Sequence, residues 1–92
     1  MEEQLSTIKD FINNGDVDRA IKELSLYIKT DAPHKDQAYY LRGNAYRKLG
    51  NWKLAVDNYL SAIELNPESP ALQAKNQVMD ILNFYNKDMF NH

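Results

Sequence analysis

No cysteine occurs among the 92 residues. That excludes a disulfide framework and any thiolate metal site. It suits a reducing compartment, so a cytoplasmic protein is expected. Histidine is nearly as scarce: His34 and His92 are the two copies, and neither has a nucleophile or ligand partner at a useful spacing. Glycine and proline number three each, which excludes a low-complexity chain and a glycine-rich phosphate loop. No apolar run approaches the roughly 18 residues of a membrane span. The opening MEEQLSTIKD is acidic and polar, which is not the pattern of a secretory signal. Basic residues number 11 and acidic ones 13, a net charge of −2. Nothing therefore draws the whole chain toward nucleic acid or an anionic membrane. No segment alternates with period 2, so no strands are expected. Asp16, Asp18 and Glu23 come nearest to a metal cluster, but a helix start and its exposed face account for them. No enzyme activity, cofactor or metal is expected.

What is present is helical periodicity, punctuated by the few glycines and prolines. Met1, Leu5, Ile8 and Ile12 make one stripe over residues 1–14, with Phe11 at its edge. Val17, Ala20, Ile21, Leu24, Tyr27 and Ile28 make a second over 17–30. Ala38, Leu41, Ala45 and Leu49 form a third stripe, and Trp52, Ala55, Val56, Tyr59, Ala62 and Ile63 a fourth. A fifth helix over about 70–87 carries Ala71, Ala74, Val78, Ile81, Leu82, Tyr85 and Met89 on one broad face. Gly15-Asp16 and Gly50-Asn51 read as turns, each glycine serving as the left-handed residue that ends a helix. Asn51 suits an N-cap. So does Ser69, with Pro70 at the first helical position. Gly43 lies inside a helix, where it costs about 1 kcal/mol relative to Ala. Close approach of the next helix is the expected compensation.

The chain also repeats itself. Gly15 to Gly50 and Ala20 to Ala55 are both 35 residues apart. Val17 falls on Trp52, Phe11 on Tyr46 and Leu24 on Tyr59. In that register Ile8 meets Gly43, so the larger side chain is expected to splay the first helix pair or shift its crossing. Within residues 36–69 the landmarks Tyr39, Gly43, Tyr46, Ala55, Tyr59 and Pro67 resemble the tetratricopeptide pattern, Trp-x2-Leu-Gly-x2-Tyr, Ala-x3-Phe, Pro. Tyr39 stands for the Trp and Tyr59 for the Phe. Arg42 is the departure, where the pattern has Leu. The resemblance implies an all-α superhelix of two antiparallel helix pairs plus a capping helix, forming a single domain over 1–92. Its parts would be a degenerate repeat at 1–35, a repeat at 36–69 and a cap at 70–92.

The function implied by that resemblance is non-catalytic protein–protein interaction, with the first helix of each pair lining a concave groove. The groove-facing residues would be Glu2, Leu5, Lys9, Ile12 and Asn13, then Gln37, Tyr40, Asn44, Arg47 and Lys48, with Lys75 from the cap. Tyr40 falls away from the Leu41–Ala45–Leu49 stripe, so the local core leaves it unexplained. An aromatic ring beside Asn44 and Arg47 would hold an extended acidic peptide segment, and Arg47→Glu is expected to abolish partner binding in a folded domain. The carboxylate clamp of the family's chaperone-binding members is not matched: its places hold Leu5, Lys9, Leu41, Ala71 and Lys75, of which Lys75 keeps a suitable charge. Leu72, Met79 and Phe90 lie to one side of the last helix's main stripe, and Phe84 lies nearly opposite it. Exposed apolar groups of this kind mark interaction sites. A homodimer or assembly-capping role through this helix is the alternative expectation.

Overall fold

The computed structural model describes the backbone of residues 2–85 and the side chains of residues 3–83. Met1, Tyr85 and Met89, expected on the inward stripes, lie outside the described side chains. Five helices follow one another: α1 (Glu2–Asn13), α2 (Val17–Ile28), α3 (Lys35–Lys48), α4 (Trp52–Leu65) and α5 (Ala71–Tyr85). No strand occurs among the described residues. α3 packs most extensively on α4, then on α2. α4 packs on α5, and α1 rests on α2 and α3.

The turns form for the reasons legible in the sequence. Gly15 and Gly50 take φ of 90° and 78°, the left-handed region a Cβ disfavours. The Asn51 side chain accepts a hydrogen bond from the Leu54 amide at 3.2 Å, so one orphan donor of α4 is satisfied. Asp16, its counterpart before α2, makes no such side-chain bond; its carboxylate lies 3.8 Å from Arg19, and Arg19 covers the Phe11 ring at 4.3 Å. Ser69 is buried, and its hydroxyl accepts from the Ala71 amide at 3.0 Å. Ser69→Ala is expected to lower stability by about 1 kcal/mol, measured by urea denaturation. An unchanged midpoint would show that the cap is replaceable.

The apolar side chains collect into two clusters. The first gathers Leu5, Ile8 and Ile12 of α1, Val17, Ala20, Leu24 and Tyr27 of α2, and Ala38, Leu41 and Ala45 of α3. The second gathers Ala55, Tyr59 and Ala62 of α4 with Ala71, Ala74 and Val78 of α5. Tyr40 packs against both. Leu49 departs from expectation: it is 53% exposed. α3 ends at Lys48 and Gly50 reverses the chain, so Leu49 never completes the inward stripe.

At Gly43 α3 and α4 approach closely. A Cβ there would stand 2.5 and 2.6 Å from two ring carbons of Tyr59 and 3.2 Å from the Ala55 carbonyl oxygen. The α1–α2 pair, with Ile8 in that register, packs less extensively than α3–α4. Arg42, the departure from the family pattern, ties three helices. Its Nε donates to Asn58 Oδ1 of α4 at 2.6 Å, and its Nη1 donates to Ser25 Oγ of α2 at 3.2 Å. Its guanidinium also lies 5.4 Å over the Tyr39 ring.

Candidate functional site: a groove between α1, α3 and α5

α1, α3 and α5 line one side of the molecule with their like ends together. Leu5 and Ser6 of α1 share a cleft with Asp36 and Gln37 of α3 and with Pro70, just before α5. Ile12 and Asn13 share another with Arg47 and Lys48 and with Ile81 of α5. These are the early and late turns of the three helices respectively, so the helices run parallel along the groove.

Seven of the expected groove residues, Ile12 among them, meet in one place. Lys9, Asn13, Tyr40, Asn44, Arg47 and Lys48 line a cleft of about 530 Å³, together with Ile12, Leu41, Trp52 and Ile81. Leu5 and Gln37 line the neighbouring cleft of about 470 Å³, with Asp36 and Asn66. The Glu2 side chain lies outside the described ones. Lys75 is not brought into the groove: it lines none of these clefts, and Gln73, Gln77 and Ile81 are the α5 residues that do. Burial of the Ala71–Ala74–Val78 face sets the rotation of α5, and that rotation carries Lys75 away. Trp52 and Ile81 were expected in the core; both are half-buried and wall the cleft as well.

The polar groups here are already connected. The Tyr59 hydroxyl, from a fully buried ring, donates to Asn44 Oδ1 at 2.5 Å. Arg47 Nη1 donates to Gln77 Oε1 at 3.1 Å, joining α3 to α5. Lys48 Nζ donates to the Ile12 carbonyl at 2.9 Å, in the last turn of α1, where helix carbonyls otherwise lack partners. Burial pushes the Tyr59 phenol above its ordinary pKa; a hydrogen bond from Arg47 and its positive charge pull the other way. Tyr40 is half-buried, with its ring centroid 6.1 Å from that of Tyr59. Its place is thus explained by packing on both clusters, as well as by its position in all three clefts.

No carboxylate lines the larger cleft, although Lys9, Arg47 and Lys48 do. Among the described residues the ion pairs are Arg19–Asp16 and Lys53–Asp57, both elsewhere. No group of three or more His, Cys, Asp or Glu residues that could hold a metal occurs among the described residues. None of the described helices is long and apolar enough to cross a membrane.

An all-α stack of helix pairs with a lined concave side is the architecture of a helical-repeat protein. The family model described as Tetratricopeptide repeat matches residues 37–69, which is α3 with α4 and its closing turn. The chain belongs to the tetratricopeptide repeat family, whose repeats generally mediate protein–protein interaction. It is similar to a Bacteroides fragilis protein of known solution NMR structure, with 64% sequence identity and a TM-score of 0.88. The likeness covers 96% of this chain and 89% of that one. No curated protein matches the sequence.

Proposed function

We propose that the chain is a non-catalytic binding module, acting in the cytoplasm, that holds an acidic peptide segment of a partner protein in the groove between α1 and α3. The observation that carries this is the charge of the larger cleft: Lys9, Arg47 and Lys48 stand around an apolar floor with no carboxylate among the lining residues. Unneutralised cations beside apolar surface favour an occupant that brings both acid and hydrocarbon. The frame for this reading is a degenerate repeat at 1–35, a repeat at 36–69 and a cap from 70, supported by the shared turn chemistry at Gly15 and Gly50.

Amide chemical shifts of the isotope-labelled chain, titrated with an acidic and a basic synthetic heptapeptide, test the reading. The acidic peptide is expected to move signals of α1 and α3, more weakly at high salt. Lys9→Glu is expected to weaken binding about tenfold, or about 1.4 kcal/mol. Lys9 is a cleaner choice than Arg47, which also bonds Gln77 and whose charge acts on Tyr59. Equal binding of the basic peptide would overturn the reading.

A second reading rests on α5. Its buried Ala71, Ala74 and Val78 repeat the spacing of Ala38, Leu41 and Ala45 on α3. Leu72 and Met79 then take the places of Tyr39 and Tyr46, which pack against the α4–α5 cluster. On α5 these places are 44% and 39% exposed. A homodimer or assembly contact would cover them; Phe84 and Phe90, expected to contribute, lie outside the described side chains. Sedimentation across a concentration series is expected to give a dimer, and Met79→Asp a monomer of unchanged helicity. A wild type that stays monomeric at high concentration removes the homodimer.

A further inference from the structure

The groove differs in charge from one end to the other. Its two main clefts share Lys9, Tyr40 and Leu41, so they are continuous along α3. At the late end Arg47 and Lys48 join Lys9, without an acid. At the early end Asp36 faces Lys9, and the remaining polar groups are uncharged: Ser6, Gln37 and Asn66. Asp36 already accepts a bond from the Asn66 amide at 3.1 Å through Oδ2, which leaves Oδ1 for another donor. The helix ends act in the opposite sense, since parallel helices place partial negative charge at the late end. Each contributes about half a charge, and the Lys48 ammonium already caps the last turn of α1. α2 and α4 run back beside α1 and α3 after short turns and oppose those dipoles, so the formal charges set the sign of the gradient.

We infer that the groove selects the direction of its ligand by charge: it takes an extended segment whose acidic residues lie at one end, beside Arg47 and Lys48. An apolar side chain sits over Leu41 at the middle, and a hydrogen-bond donor or a basic group meets Asp36 at the other end. The inference rests on the groove being the binding site. α3 has 14 residues, so at about 1.5 Å per residue it is about 21 Å long. An extended segment at about 3.3 Å per residue spans that length in about six residues. Acid at both ends would meet Asp36; acid at the centre alone would leave the late end unmatched.

Two heptapeptides of identical composition test this, one with three glutamates at its N-terminus and one with them at its C-terminus. Each is made with a nitroxide label at the glutamate end and, separately, at the other end. The expected result is that the label at the glutamate end broadens the amide signals of Asn13 and Lys48 in both peptides. The label at the opposite end is then expected to broaden those of Gln37 and Ser6. If broadening follows the N-terminus whichever end carries the glutamates, backbone direction rather than charge orients the segment and the inference is overturned. Equal broadening at both ends of the groove overturns it as well, while leaving the groove as the binding site. If neither peptide moves any signal, the binding site itself is wrong and this inference falls with it.

Discussion

Gly43→Ala is expected to lower the melting temperature by about 10 °C. The added Cβ would meet the Tyr59 ring at 2.5 Å and the Ala55 carbonyl at 3.2 Å. Neither neighbour can yield easily. The ring is fully buried, its hydroxyl is bonded to Asn44, and Tyr40 lies against it. Overpacking of this kind costs about 1–3 kcal/mol, and the severity of the overlap places it at the top of that range. The better helix propensity of alanine returns up to about 1 kcal/mol. A net loss of about 2 kcal/mol in a chain of this size corresponds to about 8–16 °C. The double variant Gly43→Ala with Tyr59→Leu isolates the cause. Leucine lacks the ring carbons that meet the new methyl, so the two losses are expected to fall short of additivity by at least about 1 kcal/mol. Strict additivity would mean that the close approach at Gly43 is not what fixes the α3–α4 spacing.

The second large effect lies one residue earlier. Arg42→Leu installs the residue of the family pattern, yet it is expected to destabilise this chain by about 2–3 kcal/mol. The guanidinium is the donor to Asn58 Oδ1 at 2.6 Å, and Asn58 is only 5% exposed. Removing the donor leaves a buried acceptor without a partner, the costly way to break a bond to a charged group. The Asn58 amide still bonds the Leu54 carbonyl, so the side chain cannot simply turn to water. Adding Asn58→Leu to Arg42→Leu removes both polar groups and is expected to recover more than half of the loss. Denaturant titration of the two single variants and the double decides it. An Arg42→Leu variant within about 0.5 kcal/mol of wild type would sink the idea that this bond matters.

These two neighbours also show what could and could not be seen in the sequence. Gly43 was legible because its argument is local: a glycine inside a helix has to be justified, and a close helix is the common justification. The caps at Asn51 and Ser69 and the left-handed glycines were legible for the same reason. The role of Arg42 was not, since its partners Ser25 and Asn58 lie 17 and 16 residues away, and polar residues leave no periodic signal. Lys75 failed differently. A helical wheel gives angles within one helix but not the rotation of that helix against its neighbours, and the small buried face of α5 fixed that rotation. Tyr40 looked unexplained because the wheel of α3 alone shows neither its packing on Tyr59 of α4 nor its packing on the preceding pair. Lys9, Arg47 and Lys48 come to line one cleft because α1 and α3 present their exposed faces in the same sense. Their further duties, Lys48 to the Ile12 carbonyl and Arg47 to Gln77, depend on where those helices end.

Tyr40 is at once a wall of the groove and, among the described residues, the one half-buried aromatic packed on both clusters. A repeat array otherwise tends to melt in sections, because each unit touches only its neighbours. A ligand lying against this ring presses on the joint, so its binding energy is shared by the helices on both sides. By mass action, a ligand at 100 times its dissociation constant adds about 2.7 kcal/mol to whatever must open for it to leave. If the groove is the binding site, that is both halves together, and an occupied groove is expected to make the chain melt as a single cooperative unit.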